Sequence, residues 1–365
     1  MDIQNIIRQC QQRKVSDIHV VCGLPIRIRI DGSLVDYDEH VMTHEDCEDI
    51  ARQLVGNELD SIQSGGEIDC AITADGDIRC RLNIFRQQEH TSAAIRILSD
   101  KIPELSALGL PPAAMEFSTY PRGIVLVTGE TGSGKSTTLA ALLDAINHTR
   151  PQHIITLEDP IEYVYKPDKC VINQREIGRD TESYATGLKA ILREDPDVIL
   201  IGEMRELETI ETALTAAETG HLVFATLHTN SAADAVDRIV NVFPGDKQQQ
   251  IRLQLAMTLK AVLSQQLLPR MGGGRALATE VMISNSAIKN LIIEGKTPQL
   301  VNAIATGVAE GNQTMDNCLI RLNKNNIISR EVAVDAAHDA DYVRKSLGIG
   351  AANSGITVTG SQGRR

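Results

Sequence analysis

Along the first hundred residues, apolar and polar positions alternate in short runs. Pro25-Ile26-Arg27-Ile28-Arg29-Ile30 repeats with period two and closes on the turn Asp31-Gly32. Ile78-Arg79-Cys80-Arg81-Leu82-Asn83-Ile84 has the same period and sets its basic residues on one face. Such alternation predicts half-buried strands with one solvated face. Together with a short helix-like start, it predicts a small α+β domain over residues 1–98. Residues 99–122 carry Pro103, Pro111, Pro112 and Pro121, the densest proline cluster in the chain, and are read as a linker with one short helix.

Beyond residue 122 the pattern changes. Apolar runs (Ile124–Val127, His153–Leu157, Asp197–Ile201 and Leu222–Leu227) alternate with longer helical stretches. Strands without an exposed face belong to a parallel sheet covered by helices on both sides. This second domain is read over 123–345, mostly helical from about Lys247 onward, and residues 346–365, mainly Gly, Ser, Thr and Ala, are read as a disordered tail. No internal repeat is found.

Composition narrows the classes. The 365 residues are too many for one ordinary core, in keeping with two domains. Hydrophobic residues make up 42% but aromatics only 3%, with no Trp, so platforms for stacking bases are scarce. A formal net charge of -12 argues against a broad phosphate-neutralising surface, and no nucleic-acid partner is expected. No run approaches the roughly 18 apolar residues of a membrane span, and Met1–Cys10 has no long apolar core, so the reading is a soluble, unsecreted protein. The seven cysteines are scattered without CxxC spacing, which suits reduced structural thiols.

The chemistry is concentrated between residues 123 and 228. Gly129-Glu130-Thr131-Gly132-Ser133-Gly134-Lys135-Ser136 satisfies GxxxxGK[ST], with a buried strand before it and a helix opening at Ser136-Thr137 after it. Glycines are needed there because the backbone must wrap a phosphate with its N–H groups inward, and the helix N-terminus adds partial positive charge. Lys135 would then lie along the β and γ phosphates of ATP, and the Ser136 hydroxyl would ligate Mg²⁺. The second strand runs into Glu158-Asp159-Pro160-Ile161-Glu162 and the third into Gly202-Glu203. Ligands collect at the carboxyl ends of strands in such sheets. Glu158, Glu162 and Glu203 are therefore candidates to hold Mg²⁺ or to take a proton from the attacking water. His221 and His228 bracket the fourth strand, roughly 20 Å apart by strand rise. Only His228, at the carboxyl end and among Thr226, Thr229 and Asn230, is placed to sense the γ phosphate.

These segments together resemble the type II and IV secretion ATPase superfamily, and specifically the PilT-like type IV pilus retraction ATPases. Ile155–Val164 is similar to the aspartate box, Asp195–Arg205 to the atypical Walker B with Gly202 where an Asp usually stands, and Gly220–Thr229 to the histidine box. The likeness extends from Ser16-Asp17-Ile18-His19 to about Ser329-Arg330. It implies a PAS-like N-terminal domain, a RecA-like core and a homo-hexamer with ATP at the subunit contacts. It also implies Glu162 as general base, Glu203 as the metal-side acid, and Arg81 and Arg96 reaching phosphates from the N-terminal domain. The residues alone leave open which Glu does which job. The partners it implies are an inner-membrane platform protein and the machinery at the pilus base, with the chain cytoplasmic and peripheral at that membrane.

Assembly and secretion ATPases usually carry a longer N-terminal region and a tetracysteine zinc insertion, so retraction is favoured here. Ala287–Glu294 resembles the AIRNLIRE motif of retraction ATPases but has Lys289 and Ile293 in place of its two arginines. The other readings are an accessory PilU-like paralogue, an assembly or type II secretion motor, a nucleic-acid translocase, and a regulatory subunit whose site is silent.

Overall fold

Amphipathic segments with strong caps build the N-terminal part of the computed structural model, which describes residues 1–30, 32–62, 66–76, 78–98 and 101–349. Asp31 of the Asp31-Gly32 turn, Ser99 and Asp100 of the linker, and the tail from residue 350 lie outside the described residues. The helix Ile3–Gln12 starts where the Asp2 side chain accepts from the Gln4 and Asn5 amides. Its Ile3, Ile6, Ile7 and Cys10, at helical spacing, are all buried. A capping box formed by Thr43 and Asp46 opens the second helix, His44–Val55.

Both helices share one apolar core with a six-stranded antiparallel sheet. Its strands are β1 (Asp17–Val20), β2 (Pro25–Ile30), β3 (Ser33–Val41), β4 (Glu67–Ala74), β5 (Ile78–Gln87) and β6 (His90–Ile97), in the order β3-β2-β1-β6-β5-β4. The alternation read in the sequence is the burial pattern of β5. Ile78, Cys80, Leu82 and Ile84 point into the core, and Arg79, Arg81 and Asn83 point away from it.

The second sheet comprises β7 (Gly123–Thr128), β8 (His153–Glu158), β9 (Val171–Glu176), β10 (Val198–Ile201), β11 (Leu222–Leu227), β12 (Leu259–Pro269) and β13 (Arg275–Ile283), in the order β13-β12-β7-β11-β10-β8-β9. β9, β8, β10 and β11 run parallel. Every residue of β7, β10 and β11 is buried, as continuous apolar runs require.

Two departures from the sequence reading follow from pairing. The chain beyond Lys247 is not simply helical, because β12 and β13 form a long antiparallel hairpin. Leu259–Leu268 is built mainly from the helix formers Leu, Gln, Lys and Ala and has no strict period, so propensity favours helix, but cross-strand pairing overrides it. The signal lies at the tip, where Gly272, Gly273 and Gly274 all take positive φ. The polar strand Val171–Glu176 also escapes a search for apolar runs.

Contacts within the chain define two compact units. One contains Met1–Leu108, Ser118–Ile124 and Ser136–Thr226; the other contains Gly109–Phe117, Val125–Lys135 and the chain from Leu227.

Candidate functional site

The glycine loop follows β7 directly. Thr128 Oγ1 donates to Ser264 Oγ of β12 at 2.9 Å, fixing the strand end from which the loop departs. Gly129 has φ +140°, and a Cβ there would come within 2.4 Å of the Gln265 carbonyl and 2.6 Å of Ser133 Oγ. Gly132 and Gly134 also take positive φ, +83° and +93°. A side chain is excluded at Gly129 by contact and disfavoured at Gly132 and Gly134 by the left-handed backbone. Lys135 is buried, its Nζ donating to the carbonyls of Gly129 at 2.7 Å and Glu130 at 2.9 Å. Ser133 Oγ is buried with no hydrogen-bond partner among the described residues, a vacancy of bonding that suits a polar ligand in the cradle.

A cavity of about 380 Å³ adjoins this loop, lined by Glu130–Ser133, Asn230, Gln265–Leu268 and Asp335–His338. Asn230 Nδ2 donates to Glu130 Oε1 at 3.4 Å. His228 is exposed two residues before it, and the intervening Thr229 has a buried Oγ1 without a partner among the described residues. Ser231 then caps the helix Ala232–Asn241.

Sequence reasoning missed the carboxylate supporting this region. Glu280 of β13 is buried and accepts from the Ala232 amide at 2.8 Å and the Met315 amide at 3.5 Å, with His338 Nδ1 at 3.9 Å. Burial raises its carboxyl pKa, and the hydrogen bonds from the Ala232 amide and the His338 charge pull against it. A lone acid in the apolar run of β13 was the available signal.

The acidic strand ends lie in the other unit. Glu158 closes β8, accepting from Thr156 Oγ1 at 2.6 Å and Gln174 Nε2 at 3.2 Å. Burial dominates these bonds and pushes its carboxyl pKa up to about 7. Two residues N-terminal to Tyr165 stands Tyr163, whose hydroxyl meets Thr137 Oγ1 at 2.9 Å, so the first turn of the helix after the loop is tied to the segment carrying Glu162. Ser136 is exposed at the start of the same helix, Lys135–Thr149.

At the end of β10, Glu203 pairs with Arg205, and the Gly202 carbonyl accepts from Thr226 Oγ1. The Walker B glycine has a steric cause. A Cβ at Gly202 would meet the Tyr184 hydroxyl at 2.8 Å, the Leu157 carbonyl at 3.1 Å and Glu158 Cα at 3.3 Å, leaving no room for the usual aspartate.

The two candidate arginines lie on the N-terminal sheet. Arg81 Nη2 donates to Asp69 Oδ2 at 2.7 Å, and Arg96 Nε donates to Asp17 Oδ1 at 2.9 Å. The guanidinium pKa of Arg81 is raised, first by the Asp69 hydrogen bond and further by the charges of Asp69, Glu162 and Asp159. The acidic loop thus contributes to the field at this arginine. Arg79, on the same face of β5, was not singled out from the sequence, yet it reaches Glu176 and the Ile161 carbonyl in the acidic segment itself.

The family model for the type II/IV secretion system protein matches residues 1–275. A type IV pilus retraction ATPase, PilT, of Pseudomonas aeruginosa is 46% identical over 92% of this chain and 98% of its own length. The type IV pilus ATPase PilU of the same organism is 34% identical over 96% of this chain and 92% of its own length. Among solved structures, that of the pilus retraction motor PilT with bound ADP superposes with a TM-score of 0.89 at 44% identity, covering 94% of this chain and 99% of the other.

Proposed function

The chain belongs to the type II/IV secretion system protein family, and from that membership we propose that it is an ATP-hydrolysing motor for type IV pilus retraction. Its fold is a RecA-like α/β core with a smaller α+β N-terminal domain. The observation that carries the nucleotide reading is the glycine cradle at 129–134, with Lys135 folded over its carbonyls and Ser133 Oγ unpartnered inside it.

In this reading, the N–H groups of Gly129–Ser136 with Thr137 take the phosphates, and Lys135 exchanges the Gly129 and Glu130 carbonyls for phosphate oxygens. Ser136 and Glu203 would hold Mg²⁺, which neutralises phosphate charge when bound. Glu162 takes the proton of the attacking water, and His228 senses the γ phosphate. Arg81 and Arg96 leave Asp69 and Asp17 to reach the phosphates bound by an adjoining protomer, which makes a homo-hexamer the working unit. An arginine finger contributes about 10³ to 10⁵ in rate.

The domain boundaries that fit this cycle are 1–98 for the PAS-like domain, 99–122 for the linker and 123–345 for the core. Closure of N-terminal domains onto neighbouring cores would strain the ring, and its relaxation would act on a platform protein at the cytoplasmic face of the inner membrane. Lys135→Ala should abolish ATP turnover in the purified protein and leave excess unretracted pili on cells carrying it. Normal retraction in that strain overturns the proposal, and loss of pili would assign the motor to assembly instead.

One observation favours an accessory, PilU-like variant of this role. In the helix Ser286–Ile293, Ile288 and Ile292 are buried, so Lys289 and Ile293 occupy half-buried flanking positions where retraction motors carry arginine. The change removes one positive charge and the planar fork of the other. Twitching restored by this chain alone in a strain lacking every other retraction motor would exclude the accessory role.

A further inference from the structure

We infer that Arg79 is a positioning residue for the acidic loop, a mechanical link through which the N-terminal sheet sets the placement of Glu162. This rests on the motor reading and on Glu162 acting as its base.

Three groups close a triangle. Arg79 Nη2 donates to Glu176 Oε2 at 3.1 Å, Arg79 Nε donates to the Ile161 carbonyl at 3.3 Å, and the Ile161 amide donates to the same Glu176 oxygen at 3.2 Å. One guanidinium and one carboxylate thereby satisfy both backbone groups of the residue before Glu162. The arrangement is well shielded, with side-chain exposures of 17% for Arg79 and 5% for Glu176. Charge-assisted bonds in such a site are short of competing water and hold direction as well as distance.

Glu176 is itself fixed. It stands opposite Glu158 across the β8–β9 pair, and its amide donates to Asp180 Oδ2 at 2.8 Å. A second tie runs alongside, where Arg179 Nη1 donates to the Ala71 carbonyl of β4 at 2.7 Å. Arg79 and Arg81 share one face of β5. A shift of that strand therefore moves the finger Arg81 and the loop bearing Glu162 together.

Lysine keeps the charge but replaces the rigid planar fork with one ammonium nitrogen on a flexible stem, so it does not hold Glu176 and Ile161 in fixed register. In the purified full-length protein, Arg79→Lys should lower kcat for ATP about tenfold, because small misplacement of a catalytic group costs rate steeply. KM for ATP and the affinity for a fluorescent ADP analogue should stay within about twofold, since no phosphate contact is removed. Amide hydrogen exchange across residues 161–163 should accelerate, with β8 unchanged. Arg79→Ala should show the same split with a larger fall in kcat. Wild-type kcat and wild-type exchange in Arg79→Lys, or kcat and KM altered together, would overturn the inference. Lys135→Ala run in parallel separates the two claims: turnover surviving there sinks the motor reading, whereas turnover lost there but intact in both Arg79 variants sinks only this one.

Discussion

Arg81 and Arg96 stand directly opposite each other across the β5–β6 pair, and each is held by its own aspartate, Asp69 for the first and Asp17 for the second. Asp17 in turn lies opposite both Arg96 and Arg29. Like charges facing across strands repel, so the row is stable only because carboxylates are interleaved in it. The candidate phosphate ligands of the N-terminal domain are thus parked against acids in the isolated chain.

Asp17→Asn should therefore destabilise the N-terminal domain at neutral pH by about 1 kcal/mol or less, the scale of exposed cross-strand pairs. Burial alone would raise the Asp17 carboxyl, but the Arg96 and Ser16 hydrogen bonds outweigh it and hold the pKa below the usual value. A depressed carboxyl stabilises above its unfolded pKa and loses that contribution as pH falls through the folded value. Thermal melts of wild type and variant should differ at pH 7 and converge in acid, and a gap that widens in acid would contradict the assignment.

Releasing Arg81 from its acid should be far milder than removing it. Arg81→Ala should lower kcat by about 10³ if it serves as a finger, whereas Asp69→Asn should retain activity within about threefold because the guanidinium is kept. Mixing inactive Arg81→Ala protomers with Lys135→Ala protomers should restore turnover if finger and cradle come from different subunits. No recovery in the mixture would place them in one chain.

Gly202 predicts a steric defect that a second site relieves. Gly202→Ala should cost about 1 to 3 kcal/mol, the usual range for overpacking, because the new methyl meets the Tyr184 hydroxyl and the Leu157 carbonyl. Adding Tyr184→Phe removes the nearest of these atoms and should recover part of the loss in denaturant unfolding. Strict additivity of the two changes would show that they do not share the space.

Glu158 predicts a pH dependence of stability. With its pKa raised by burial to about 7, the folded state binds a proton more tightly than the unfolded chain. Stability should fall as pH rises from the ordinary carboxyl range toward 7, then level off. Glu158→Gln should flatten that slope and make the variant comparatively more stable above pH 7. A slope unchanged by the substitution would assign the titration to another group.

The chain alone determined the local pieces of this protein. The period-two run at Ile78–Ile84 is a strand with Arg79 and Arg81 on its outer face, and the runs at 124–127, 153–157 and 222–227 are buried strands, because side-chain alternation and continuous apolarity are one-dimensional signals. The glycine loop was equally legible, since positive φ and close approach demand glycine at fixed spacing. What only the tertiary structure decided are relationships between distant residues. The β12–β13 hairpin forms where helix propensity points the other way, Glu280 gathers amides 48 and 35 residues away, and Arg79 meets Glu176 across 97 residues. None of these leaves a period in the sequence, because a buried charge is placed by the partners that desolvation forces upon it, and those partners are chosen by the fold.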